Sequence, residues 1–366
     1  MIIPSSTLFR YVSKHFIMNL LIMMLVLVGI MMIFEVIELL RRSSSDNNVS
    51  FNMIILIASL KMPYLGTRIL PMGVLFSAIY TCWKLNKTSE LIVMRSSGLS
   101  AWQFLTPILF CGFLIGVFST AVINPISAVF LAKHDQMNKV YIEGDINLAT
   151  VSKTGIWLRQ PTDNGGYALM HASKLDPKSW KMNNVTILFF DNSDSFIKRV
   201  DSKVVFLKDK YWDIKNPLIN DVVEGAKQKD FINISTELTS QQIEESFSDP
   251  ETIAFWSIAE YIEVMEETGF PATRIYMHFH KLFAQPFLFV ALILLAASFS
   301  LRPARFGTTA YMIAFGITVG FMVFFMESVL GAFGISHKIP IYLAAWSPSI
   351  IGLLIGGTSL LHLEDG

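Results

Sequence analysis

Only two cysteines, Cys82 and Cys111, occur in 366 residues, and both sit in apolar runs. That excludes a disulfide framework and a cysteine-based zinc spacing. Charge is scarce as well: Asp, Glu, Lys and Arg make up 16% of the chain, against about 25% in an ordinary soluble domain. The 29 basic and 29 acidic residues cancel, so no bulk field draws in nucleic acid. There is no G-x-x-x-x-G-K-[ST] phosphate loop, so ATP hydrolysis is not expected of this chain. A G-x-S-x-G elbow and an H-E-x-x-H helix are also missing. Among the seven histidines, His278 and His280 are two apart and would not share a helix face. No catalytic residue, metal site or cofactor is expected, and no internal repeat is visible.

What is abundant is apolar: 52% of the residues, gathered in the first third and the last quarter. A membrane crossing needs roughly 20 apolar residues to traverse about 30 Å of hydrocarbon. Six segments qualify: Phe16 to Ile37, a stretch within Phe51 to Trp83 that is strongest from Ile69 onward, Phe104 to Val122, Leu282 to Leu301, Thr308 to Leu330, and Ile341 to Leu361. The first is too long for a signal-peptide core and lacks a small-residue cleavage site, so it is expected to be retained. Lys and Arg in short loops set orientation. With the N-terminus inside, the cytoplasmic side holds Arg10, Lys14, Lys84, Lys87, Arg95, Arg302 and Arg305, and the other side Arg41, Arg42 and Lys338. Both termini are then cytoplasmic, and the polar insert after the third span lies outside.

The expected division is 1–130 for spans one to three, 131–273 for the insert, and 274–366 for spans four to six. The insert reads as short strands: Gly155 to Arg159, Tyr167 to Ala172, Val185 to Phe190, Lys203 to Leu207 and Tyr211 to Ile214, with turns at Asn164-Gly165-Gly166, Asp191-Asn192-Ser193 and Asn216-Pro217. Such spacing suggests a sandwich, a jelly roll or an open β layer. Its aromatics (Trp157, Phe189, Phe190, Phe206, Tyr211, Trp212) suit a core, or an apolar interior that also holds acyl chains. A helix capped by Asp249, with Pro250 at its first position and Gly269 as its stop, follows. Pro286 is placed to kink the fourth span.

Two features stand out. The cytoplasmic stretch Lys84 to Gly98, KLNKTSELIVMRSSG, holds a helix with Thr88 or Ser89 as cap, Glu90 in its first turn and Gly98 as terminator. Leu91, Ile92, Val93 and Met94 are consecutive, and one face cannot hide all four. Either a protein partner covers the remainder or the helix lies on the lipid interface. The second feature is a band of charge at one depth: Glu35, Glu38, Arg41, Arg42, Lys61, Arg68, Lys133, His134 and Glu327. It fits either an outer-leaflet cavity for an anionic amphiphile or pairing between helix ends.

Taken together, these residues resemble the lipopolysaccharide export permeases, the LptF/LptG family. TSELIVMRSSG at 88–98 resembles the family's coupling segment. In order along the chain, Arg10-Tyr11, Leu70-Pro71-Met72, Asn124-Pro125 at the end of the third span, KLFAQP at 281–286 and AASF at 296–299 also match. The closing GAFGISHKIPIYLAAWSP at 331–348 is similar to the LptG type more than to LptF. The resemblance implies a membrane α-helical fold of six transmembrane helices with an inserted periplasmic β-jellyroll-like domain, in a Gram-negative inner membrane. It implies a non-enzymatic transport subunit that takes lipopolysaccharide from the outer leaflet, between helices one and five of opposing subunits, and passes it to a periplasmic β-jellyroll bridge. The implied partners are an LptF-like sister permease, a dimeric cytoplasmic LptB-like ATPase and an LptC-like single-span protein. The implied ATPase-coupling residues are Ser89, Glu90, Leu91, Met94 and Arg95; the implied substrate-binding residues are Arg41, Arg42, Lys61, Arg68, Lys133 and His134. One departure is Glu35, where family members can carry lysine; a carboxylate there would repel phosphate and pair instead with Lys61 or Arg68. The alternatives are an ion-coupled secondary transporter, which would want charges near the bilayer midplane, and a membrane-anchored enzyme with its site in the insert.

Overall fold

The computed structural model describes residues 6–43, 49–98, 100–143, 149–152, 155–162, 166–176, 179–191, 195–208, 210–221, 225–236, 249–268, 272–300 and 308–365. Arg302, Arg305, the Asn164-Gly165 and Asn192-Ser193 turn residues, and the proposed stop at Gly269 lie outside them. The chain forms two units, one of 1–135, 254–256 and 276–366, the other of 136–253 and 257–275.

The first unit is helical. Its elements are α1 (Ser6–Ser43), α2 (Phe51–Lys87), α3 (Glu90–Ser96), α4 (Ala101–Phe118), α5 (Asn124–Asn138), α7 (Thr273–Ser300), α8 (Thr308–Ile335) and α9 (Ile341–Asp365). Six helical runs among the described residues are long and apolar enough to cross a membrane. The 38 residues of α1 span about 57 Å at 1.5 Å per residue, well beyond the hydrocarbon thickness. Its exposed Leu21, Leu25, Ile33 and Phe34 can face only lipid or another protein. By contrast, α7 is the most enclosed span. Phe289, Leu292 and Ile293 join Val12 and Phe16 of α1, Val74 and Leu75 of α2, and Phe104 and Ile108 of α4 in one apolar core.

The helix that carries the third span does not stop at Asn124-Pro125. Helix α4 widens into a π turn at Ser119–Ile123 and continues as α5. A second π turn follows at Lys139–Glu143, so helix also runs past residue 131. Pro125 has no N–H for the preceding turn; the Trp256 indole donates instead to the Ala121 carbonyl (3.0 Å). The Asn124 side-chain oxygen accepts from the Phe255 N–H (2.9 Å). The same device recurs at Pro286 in α7. The proline leaves the Leu282 carbonyl unserved, and the Thr120 hydroxyl, presented by the π turn, donates to it at 3.0 Å. Both prolines are tolerated because a neighbour supplies the missing donor.

The second unit is a β insertion of nine strands among the described residues: β1 (Ala149–Ser152), β2 (Gly155–Pro161), β3 (Tyr167–Asp176), β4 (Lys181–Phe190), β5 (Phe196–Lys208), β6 (Tyr211–Lys215), β7 (Leu218–Asp221), β8 (Gly225–Gln228) and β9 (Phe231–Ser235). All pairings are antiparallel, in the order β1-β2-β3-β4-β5-β6-β9, with β7 between β5 and β8. Alternation buries Ala168, Met170 and Ala172 of β3, Met182, Val185 and Ile187 of β4, and Trp212 and Ile214 of β6. Phe189 and Trp212 are core; Trp157, Phe190, Phe206 and Tyr211 are half-buried. Asp249 caps only a short 3-10 turn, Pro250–Thr252, and the α-helix of this unit, α6, runs Ile258–Thr268. Trp256 precedes that helix.

At the centre of the β core, buried Gln160 accepts from the Trp212 indole (2.9 Å) and the Thr236 hydroxyl (2.8 Å). Gln160→Leu is expected to strand both donors and lower the unit's stability by about 2 kcal/mol. Limited proteolysis of the insert in detergent checks this; an unchanged cleavage rate removes Gln160 from the core's essential contacts.

Candidate functional site

The stretch 84–98 folds as a hooked tip between α2 and α4. Thr88 closes α2, and Ser89 adopts the left-handed backbone (φ 61°) that turns the chain. Helix α3 starts at Glu90, and Gly98, at φ 85°, ends the segment where a side chain would be strained. Ser100 and Gln103 cap each other reciprocally and start α4. The Glu90 carboxylate is held at both oxygens: the Tyr11 hydroxyl of α1 donates at 3.0 Å and the Thr88 hydroxyl at 2.9 Å. A contact across 79 positions thus ties the first span to the tip.

The apolar run is divided by helix geometry. Leu91, 4% exposed, belongs to the helical core, and half-buried Met94 packs against it. Val93 is 66% exposed. Among the described side chains of the run the outward one is therefore Val93, which the site assignment from sequence passed over, whereas Leu91 faces inward. The 3.6-residue period places 91 and 94 together and 93 apart from them, which was the available signal. The Arg95 side chain lies outside the described residues.

The charge band resolves into pairs and a surplus of positive charge. Lys61 of α2 donates to both oxygens of Glu35 of α1 (2.8 and 3.0 Å). Two guanidiniums, Arg41 (3.0 and 2.9 Å) and Arg42 (2.7 Å), share the single carboxylate of Glu38, leaving a net positive charge at the end of α1. Arg68 donates to the Tyr64 hydroxyl (2.9 Å), and Lys133 is exposed. His134 does not belong to such a surface. It is 4% exposed, with its Nδ1 2.9 Å from the Ile57 carbonyl, and so fastens α5 to α2. Lys281 of α7, not singled out from the sequence, pairs with Glu327 of α8 at 3.1 Å. Among the described residues no group of three His, Cys, Asp or Glu side chains could hold a metal ion.

Because the Glu35 side chain is 12% exposed and that of Lys61 28%, removing one partner leaves a poorly solvated charge. Lys61→Met is expected to destabilise the helical unit by about 2 kcal/mol, and the Glu35→Gln, Lys61→Met double variant by clearly less. Thermal unfolding in detergent reads the cycle, and additive effects would mean that the pair is not coupled.

The band and the tip are places where this chain could meet a ligand or a partner. Comparison with known proteins bears on the chain as a whole. The family described as "Lipopolysaccharide export system permease LptF/LptG" matches residues 10–362. The lipopolysaccharide export system permease protein LptG of Haemophilus influenzae is 24% identical over 363 residues, covering 96% of this chain and 97% of the relative. LptG of Escherichia coli K12 is 20% identical over 364 residues, with 96% and 97% covered.

Proposed function

The chain belongs to the LptF/LptG family of lipopolysaccharide export permeases, and from that premise we propose how it works as a permease subunit of the export ABC transporter. It is a multi-pass inner-membrane transport subunit and not an enzyme; a partner permease and a separate ATPase complete the system. In our reading the partners are an LptF-like sister subunit, an LptB-like cytoplasmic ATPase dimer and an LptC-like single-span protein. Both termini and the tip are cytoplasmic, and the β insertion is periplasmic. The division follows 1–130, 131–273 and 274–366, with the third helix running on into the insert.

The observation that carries this reading is the family match along 10–362, joined to a tip whose Glu90 is bonded to the first span. Ser89, Glu90, Met94, Arg95 and the outward Val93 meet the ATPase, while Leu91 braces the tip from within. On the outer side, Arg41, Arg42, Arg68 and Lys133 meet the phosphates of lipopolysaccharide arriving from the outer leaflet. Lys61 acts through Glu35, holding α1 against α2, and His134 holds α5. The Glu35–Lys61 and Lys281–Glu327 pairs lie two to three turns inside their helices, and it is the family match along 10–362, not the depth of the charges, that disfavours an ion-coupled carrier.

The test is a tagged copy purified from native membrane in mild detergent. An ATPase should co-purify, and depletion of the chain should stop lipopolysaccharide reaching the outer membrane. Absence of any ATPase, together with continued export, would refute the reading.

A further inference from the structure

A cavity of about 530 Å³ lies at one end of the helical unit, lined by Tyr276, His280, His337, Lys338, Pro340 and Tyr342, with Ile339 and Ile341 between them. It is built from the first turns of α7, the α8–α9 loop and the first turn of α9. Helix α7 begins where the chain returns from the β insertion, and an even number of spans separates that point from the α8–α9 loop. The cavity therefore lies on the side of the membrane from which the insertion leaves.

Its chemistry is one-signed. None of the lining residues is acidic, and the Lys338 ammonium packs 5.5 Å from the Phe333 ring. The loop is set by its own backbone. His337 turns it at φ 57°, and the N–H groups of Lys338 and Ile339 both close on the Phe333 carbonyl (3.0 and 3.4 Å). Helix α9 makes its first backbone bond from Ala344 to Pro340 (3.0 Å), so the N–H groups of Ile341 and Tyr342 precede any partner within the helix. They add the positive end of a 25-residue helix to the cavity. Apolar side chains flank the loop: Phe333 and Ile335 before it and Tyr342 and Leu343 after it are 41–57% exposed.

We infer that this cavity binds the phosphate-bearing headgroup of a membrane lipid, whose acyl chains lie along the exposed aromatic and aliphatic side chains of α8 and α9. A lysine, two imidazoles, two phenols and a helix N-terminus match a phosphate group. The volume lies within the range of small-ligand sites, about 300 to 1,000 Å³. The apolar flanks favour a lipid over a free ion. This site lies apart from the α1–α2 charge band and does not depend on the export reading.

The experiment places a benzophenone amino acid at Leu343 in the full chain, in native membranes with its partners present, and identifies photo-adducts by mass. An adduct with a phosphate-bearing lipid should form and fall at least about fivefold in Lys338→Glu while persisting in Lys338→Arg. Lys338 is exposed, so neither change should prevent folding, and the amount of protein in the membrane checks this. The adduct's mass tells the exported glycolipid from a resident phospholipid, and either supports the site. Equal adduct yield in Lys338→Glu overturns it, as does inorganic phosphate retained with no lipid adduct. Loss of the co-purifying ATPase would instead count against the export reading and leave the adduct result standing.

Discussion

Glu90→Ala should weaken the ATPase's hold on this subunit about tenfold and lower export, whereas Tyr11→Phe should keep the ATPase bound and lower export per ATP consumed. The carboxylate holds two hydroxyl donors, from Tyr11 and Thr88, and sits at the start of α3 beside exposed Val93. Removing it abolishes both internal bonds and the one anionic group that the tip offers a cationic partner. A charge-assisted contact contributes about 1.5–3 kcal/mol. With Tyr11 at 42% exposure, the lower part of that range applies, or roughly a tenfold loss of affinity. Tyr11→Phe deletes a single hydroxyl and leaves the charge in place, so docking and transmission become separable. The measurements are ATPase recovered with the tagged chain and lipopolysaccharide released per ATP hydrolysed. Equal coupling in Tyr11→Phe and the parent chain would show that the bond between α1 and the tip transmits nothing.

Gly116→Leu is expected to abolish accumulation of the folded protein, and Gly116→Ala to lower its melting temperature measurably. A Cβ at Gly116 would stand 2.5 Å from the Pro286 Cα and 3.0 Å from its ring nitrogen and Cβ. These are backbone and ring atoms, so no rotamer change can make room, and α4 must move away from α7. That motion breaks the bond from Thr120 to the Leu282 carbonyl, in a region where no water replaces it. Overpacking costs about 1–3 kcal/mol and a stranded carbonyl about 1–3 more. Thr120→Val should show the second effect alone, because it keeps the volume and loses the donor. Detergent melting curves of Gly116→Ala and Thr120→Val order the two effects, and the amount of folded protein in the membrane reads Gly116→Leu; an unperturbed Gly116→Ala would show that α4 and α7 are not in close contact.

The six crossings were legible because a run of about 20 apolar residues fits little besides a bilayer span. Strands β2 to β6 were legible from alternation and turn residues. Strands β1, β7, β8 and β9 escaped: LIND and GAKQ carry no apolar alternation and exist as strands through pairing with β5 and with each other, and β1 and β9 pair with β2 and β6. The continuation through Asn124-Pro125 was hidden because its rescue comes from Trp256, far along the chain. In the candidate site, Glu90 was readable from its first-turn position, and its link to Tyr11 was not. A pairing of Glu35 with Lys61 or Arg68 was anticipated from opposite charges at equal depth, and the structure chooses Lys61. His134 was misread because a histidine beside a lysine at a helix end looks exposed, and only packing against α2 buries it.

The rescue of Pro125 also carries a consequence for synthesis on the ribosome. Ala121 and Asn124 are translated 135 and 131 positions before the groups that satisfy them, Trp256 and Phe255. At roughly 5–20 residues per second, that interval is about 7 to 27 s. For that time the nascent third crossing holds an open carbonyl at its widened turn, and the whole β insertion must emerge before the turn closes. A stall within the insert's coding region would therefore leave the end of that helix beyond the turn unfinished, exposing a half-made membrane segment to quality control.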